Sequence, residues 1–163
     1  MKRPGIPLEA IEAVYRTRAA DFFRFALAKT GDPERARDAV QEGFARAIRG
    51  RATFQGTGPL EAWVARCVLN AASDLNRVFS RLESEPEHAT ADSMTASGDS
   101  GSVVREAVRQ LPQRQRDALF LRHYLDLDYR AIAEAPDVEV GTISASLHAA
   151  RNSLMDALQE VRR

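Results

Sequence analysis

A single cysteine, Cys67, stands among 163 residues, so no internal disulfide and no cysteine-rich metal site can form. It lies in the apolar run from Trp63 to Leu69, the usual setting of a buried core thiol. The three histidines, His88, His123 and His148, are too widely spaced to form a ligand cluster, and no metal or cofactor is expected. Lysine is nearly missing: Lys2 and Lys29 are the only two, and arginine supplies the other cations. No segment approaches the run of about 18 apolar residues that a membrane helix needs. The start MKRPGIPLEAIEAV has no signal-peptide hydrophobic region, so a soluble, cytoplasmic chain without membrane insertion is expected. Neither charge predominates, with 23 cations against 23 anions, and the zero total by itself hints at no nucleic-acid partner. No nucleophile–base set, paired-carboxylate pocket or phosphate loop emerges, which argues against an enzyme.

Strand signals are also scarce, while helical ones recur. Apolar residues at Ile11, Val14, Tyr15, Phe22, Phe25 and Ala26 mark one stripe of a helix from about Leu8 to Lys29. Gly31 ends it, and Asp32-Pro33 opens the next as N-cap and first-turn proline. That second helix carries Ala36, Ala39, Val40, Phe44, Ala47 and Ile48 at three- and four-residue steps and stops near Gly50. The loop GRATFQGTGP follows. Pro59 then starts a third helix through Trp63, Val64, Cys67, Val68, Ala71 and Leu75 to about Phe79.

From Arg81 the texture changes. RLESEPEHATADSMTASGDSGS is poor in large apolar residues and reads as a flexible acidic linker. Counting by segment resolves the zero total. Residues 1–80 hold thirteen cations and nine anions, net +4. Residues 81–101 hold one and five, net −4, and residues 102–163 hold nine of each. The first block is therefore the basic one.

The last block is helical again. Val103, Val104, Ala107 and Val108 form a short helix, and Leu111-Pro112 breaks and restarts the chain. Ala118, Leu119, Leu121 and Leu125 continue the stripe. Asp126 and Asp128, in Leu-Asp-Leu-Asp-Tyr, read as a turn and helix cap. A short helix around Tyr129 to Ala135, the turn APDVEVG and a long final helix from Val140 to Val161 make a helix-turn-helix pattern. The pattern alone leaves other αα-hairpins open. The expected fold is all-α: a helical domain over 1–80, a flexible acidic linker over 81–101 and a second helical domain over 102–163.

Two separated stretches carry a family resemblance. One is ARDAVQEGFARAI, followed by the spaced residues of PLEAWVARCVLNAASDLNR. The other is LPQRQRDALFLRHYLDLDYRAIAEAPDVEVGTISASLHAARNSL. Together they resemble the extracytoplasmic-function (ECF) sigma factors of bacterial RNA polymerase. The resemblance makes the first domain region-two-like and the second a region-four-like helix-turn-helix domain. It implies core RNA polymerase and promoter DNA as partners, and transcription initiation without catalysis of the chain's own.

In that family, the helix holding D-x-x-Q-E docks on a coiled coil of the largest polymerase subunit. The matching residues are Asp38, Gln41 and Glu42, which at i, i+3 and i+4 share one helix face; the alternative is a solvated acidic face. The third helix and the loop before it match the part that melts the −10 element and flips a base, which requires stacking and hydrogen bonds in return. Arg51, Phe54, Gln55 and Thr57 supply cation, ring and polar groups in the loop. Asn70 is a candidate base-edge contact, and Arg66 and Arg77, on the same face, are candidate phosphate contacts. Trp63, on the apolar stripe, is read as core in preference to a stacking platform, and Phe54 stays open.

The family's last helix reads the −35 element with basic residues after Gly-Thr. Here Thr142, Ile143, Leu147, Ala150 and Arg151 fit, but Ser144, Ser146 and Ala149 stand where cations are expected. Ala145 and His148 complete the outward face, and Arg130, Arg114 and Arg116 are candidate phosphate contacts or solvated charges. Asp137 and Glu139 before the helix add repulsion toward phosphate. Binding to the −35 element is thus expected to be weakened. Three rivals follow: reliance on the first block and polymerase, an unusual −35 sequence, or a last block that binds a protein such as an anti-sigma factor. A polymerase-binding regulator without productive −35 recognition shares the first block. A dimeric helix-turn-helix repressor fits less well, for want of dimerisation heptads.

Overall fold

The computed structural model describes residues 5–82, 99–134 and 140–163. Among them there are seven α-helices, one short 3-10 turn and no strand. Helix α1 is Leu8–Thr30, α2 is Pro33–Gly50, and α3 is Leu60–Leu82, with the 3-10 turn Arg51–Thr53 between the last two. In the second block α4 is Asp99–Gln110, α5 Gln113–Leu125, α6 Tyr129–Glu134 and α7 Val140–Val161.

The boundaries have local causes. Gly31 takes φ 72°, the left-handed region that glycine enters without penalty, and its N–H bonds the Leu27 carbonyl. One residue on, the Asp32 carboxylate accepts from the Arg35 amide at 2.8 Å, with Pro33 in the first turn of α2. Asp126 closes α5 at φ 51°, and the Asp128 carboxylate accepts from the Ala131 amide at 2.8 Å to open α6. The two aspartates are therefore a turn and a cap, as their spacing suggests. The segment read as a linker overlaps helix at both ends, because α3 runs on to Leu82 and α4 begins at Asp99. Its acidic residues Glu83, Glu85, Glu87 and Asp92, and the turn residues Asp137 and Glu139, lie outside the described residues.

Helices α1, α2 and α3 bury Ile11, Phe22, Phe25, Ala36, Ala39, Val64 and Val68 against one another. The α2–α3 approach is close enough to require glycine: a Cβ on Gly43 would lie 2.6 Å from the Val68 Cα. In the second block, α7 packs against α4, α5 and α6, burying Ile143, Leu147 and Ala150 with Leu121, Leu125 and Ile132. A single apolar core runs through both blocks, because α1 also packs against α5 and α3 against α6.

Three assignments shift. Cys67 is half-buried and packs on the core edge, and burial pushes its thiol up from its ordinary value, which keeps it unreactive. Tyr15, placed on the first stripe, is 49% exposed, although its ring still meets Phe44 edge-on at 5.1 Å. Ile48 is exposed as well.

Candidate interaction surfaces

Along α2 the side opposite the apolar stripe presents Asp38 and Gln41 to solvent, with Glu42 half-buried beside them. Glu42 is already engaged. Its carboxylate accepts from Arg46 Nε at 2.9 Å and Arg49 Nη2 at 3.0 Å. Arg46 also donates to Asp74 on α3 at 2.8 Å, and Asp74 pairs with Arg77. The hydrogen bond from Arg46, reinforced by Arg49, holds the Glu42 carboxyl below its ordinary range, and Arg46 does the same for Asp74. This line of charges couples the docking candidate on α2 to the outer face of α3. Asp38 and Gln41 have no side-chain partner among the described residues.

The loop after α2 holds Arg51, Gln55 and Thr57 in solvent, with Gly56 at φ 71°. Phe54 is half-buried, its ring 5.5 Å from that of Trp63 at a 60° tilt. Trp63 is likewise half-buried, packed against the core on one side and against Phe54 on the other. The pair forms an aromatic root beneath a polar loop. Trp63 thus packs on the core, and Phe54 packs on Trp63.

On α3, Arg66, Asn70 and Arg77 are exposed, as their spacing requires. Arg77 differs from the other two, because its charge is matched by Asp74. Exposed pairs of this kind contribute about 0–1 kcal/mol, so a phosphate can replace the carboxylate at little cost. Arg66 and Asn70 line a cleft of about 260 Å3 whose other wall is made by the second block, including Arg114, Thr142 and Ser146.

Helix α7 turns its apolar stripe inward, but two positions read as outward-facing, Ser146 and Ala149, are partly covered. Thr142, Ser144, Ala145, His148 and Arg151 are exposed, and Ser146 and Ala149 are half-buried. Arg130 on α6 and Arg114 on α5 are exposed, whereas Arg116 is half-buried with a buried Nε that finds no partner among the described residues.

The residues that join the blocks were not singled out from the sequence. Lys29 donates to Asp117 across the α1–α5 contact, its side chain only 3% exposed. Desolvation pulls the Lys29 ammonium below its ordinary value, against the pull of the Asp117 carboxylate. Arg18 donates to the Leu125 carbonyl at 2.9 Å, Gln113 to Ser73 Oγ at 3.3 Å, and Phe25 meets Phe120 edge-on at 6.5 Å. A signal was available: Lys29 follows Phe22, Phe25 and Ala26 on the buried stripe of α1, where a lysine needs a partner.

Among the described residues no group of three or more His, Cys, Asp or Glu could hold a metal, and no helix is long and apolar enough to cross a membrane. Two helical blocks of this kind are the architecture of a sigma-70-type factor: residues 14–80 match sigma-70 region 2, and residues 102–154 match sigma-70 region 4. The chain is 31% identical to the ECF RNA polymerase sigma factor SigL of Mycobacterium tuberculosis over 160 residues, covering 93% of this chain and 90% of SigL. It is 27% identical to the RNA polymerase sigma-H factor of Pseudomonas aeruginosa, over 81% of this chain and 77% of that one. The fold is similar to that of the sigma factor RpoE in complex with the anti-sigma factor NepR from Bartonella quintana. That match has a TM-score of 0.71 at 21% identity, covering 93% of this chain and 98% of the other. CnrH, in complex with the cytosolic domain of CnrY, has the same TM-score at 19% identity, over 94% and 90% of the two chains. The protein belongs to the ECF sigma factors of bacterial RNA polymerase and functions in promoter recognition.

Proposed function

We propose a division of labour within the chain. Residues 1–80 dock on core RNA polymerase and open the −10 element, residues 81–101 join the blocks, and residues 102–163 contact the −35 element. Asp38 and Gln41 make the docking contact with a basic coiled coil, and Glu42, tied to Arg46 and Arg49, sets the rim of that face. Arg51, Phe54, Gln55 and Thr57 receive the flipped base above the Phe54–Trp63 pair. Arg66 and Arg77 hold phosphate and Asn70 reads a base edge. Thr142, Ser144, Ala145, Ser146, His148, Ala149 and Arg151, with Arg130, form the −35 surface. The chain catalyses nothing itself and works in the cytoplasm, where the polymerase is. An anti-sigma factor is a further proposed partner, of the kind that RpoE of Bartonella quintana has in NepR.

The observation that carries this reading is the exposure of Asp38 and Gln41 on α2, both without a side-chain partner among the described residues. The test is co-elution with bacterial core RNA polymerase on size exclusion, beside an Asp38→Arg/Gln41→Ala variant. Co-elution of the wild type and loss in the variant support docking through this face. Failure of the wild type to co-elute overturns it.

A second reading has its own support. Arg151 is the one cation on the outward face of α7 from Thr142 to Arg151, so the protein would occupy the sigma site without productive −35 recognition. Transcription by the reconstituted holoenzyme from a mixed promoter pool separates the two, because the regulator yields none.

A further inference from the structure

Before α1 the sequence reads Gly5-Ile6-Pro7, a run held extended by its own chemistry. A residue preceding proline is disfavoured in the helical region, and Pro7 itself sits at φ −63° and ψ 146°. One end of this strap is fixed by α1, whose Ala10 amide donates to the Pro7 carbonyl at 3.1 Å, and by Ile6, half-buried against the core. The other end crosses to the turn that follows α2. There the Ile6 amide donates to the Arg51 carbonyl at 3.2 Å. Gly5 lies against the same turn: an added Cβ would stand 2.7 Å from the Ala52 Cα and 2.9 Å from the Arg51 carbonyl oxygen, both backbone atoms. Only glycine allows that approach.

The turn so held is the root of the exposed loop. Its own hydrogen bonds reach back only to the end of α2: Thr53 Oγ1 donates to the Gly50 carbonyl at 2.7 Å and Arg51 Nη1 to the Ile48 carbonyl at 3.4 Å. Phe54 comes next and rests on Trp63, while Gln55 and Thr57 beyond it are in solvent. The strap therefore ties the turn from outside, just before the residue whose ring begins the loop. Extruding a base costs stacking and pairing energy, which the receiving loop must return. A loop still to be ordered returns less, because its backbone freedom is lost at that moment. Holding the turn beforehand removes that loss.

We propose that the strap of residues 5–7 is a positioning element for base capture. Gly5 and Ile6 touch no DNA themselves. They fix the Arg51–Thr53 turn, and through it Phe54 on Trp63, in the conformation that receives the base. The tie stands on the geometry alone. Its role in base capture rests on the proposed −10 surface.

Trp63 is the only tryptophan in the chain, so its emission and its quenching by acrylamide report on the loop root. The test compares Gly5→Val and the milder Gly5→Ala with the wild-type full chain. Each is first checked for helicity by circular dichroism and then read well below its melting temperature. Both variants are expected to shift the emission to longer wavelength and to raise quenching, Gly5→Val the more. Co-elution with core RNA polymerase is expected to stay as in the wild type, because Asp38 lies about 20 Å along α2 from Arg51 at 1.5 Å per residue. The holoenzymes are then compared on the labelled non-template strand of a promoter that the wild type selects from the mixed pool. Leaving about one residue of the turn to be ordered on binding weakens that affinity about tenfold. Unchanged emission and quenching in both folded variants overturn the tie, and so does a fall in melting temperature alone. A shifted emission with unchanged single-strand affinity overturns base capture instead. Failure of the −10 reading shows separately: the wild-type holoenzyme then selects no promoter, or binds its strand no better than a scrambled one. Base capture falls with it, while Trp63 still decides the tie.

Discussion

Replacing Gly43 by alanine asks whether the α2–α3 approach is as tight as it stands. The added Cβ would meet the Val68 Cγ2 at 2.5 Å, its Cα at 2.6 Å and its amide nitrogen at 2.8 Å. A side chain could rotate away, but two of the three atoms are backbone, so the helices must part. Overpacking of this kind costs about 1–3 kcal/mol, and backbone opposition puts Gly43→Ala at the upper end. Alanine in a helix recovers about 1 kcal/mol relative to glycine, which leaves a net loss of about 2 kcal/mol. In a chain of this size that lowers the melting temperature by about 4–8 °C. Gly141→Ala in α7 makes the same chemical change where an added Cβ meets nothing within 4 Å among the described residues, and is expected to stabilise by about 0.5–1 kcal/mol. Thermal unfolding of both variants beside the wild type reads the difference. Adding Val68→Ala to Gly43→Ala should not restore stability, since it removes Cγ2 and leaves the Cα in place. A Gly43→Ala protein as stable as the wild type, or full rescue by Val68→Ala, would refute the close-approach argument.

Two further outcomes follow from the charges. The Glu42 and Asp74 carboxyl groups should titrate below their ordinary values of 4.5 and 3.8, because Arg46 donates to both. A depressed folded value means that their stabilisation is complete above the unfolded value and is lost as pH falls through the folded one. Carboxyl NMR titration checks this, with Arg46→Ala expected to return both midpoints toward the ordinary values; wild-type midpoints at or above those values would count against the pairing. On α7, Ser144→Arg places a cation on the exposed face, and one added phosphate contact steepens the log–log salt dependence of DNA binding by about 0.9. The measurement is made on the holoenzyme with duplex DNA, and an unchanged slope would mean that this face does not meet the backbone.

The helices were legible because their signals are local. Asp32-Pro33, Gly31 and the aspartates of Leu-Asp-Leu-Asp-Tyr act within a few residues of themselves, and each caps where its position implies. The same holds for the inward side of α7, where a 3.6-residue period separates Ile143, Leu147 and Ala150 from Ser144, Ala145 and His148. Composition and charge also marked the first block as the basic one before any packing was known.

Which partners a side chain finds was decided only in three dimensions. Nothing near Glu42 in the sequence says that Arg46 will share itself with Asp74, 28 residues on. Nor does the loop say that Phe54 will rest on Trp63. The seam is the clearest instance: Lys29 and Asp117 are 88 residues apart, and neither helix alone indicates that they meet. A helix's period states which of its faces must be covered, because apolar area has to leave water. It does not state what covers that face, because the answer lies on a distant part of the chain and is set by the fit of both surfaces at once.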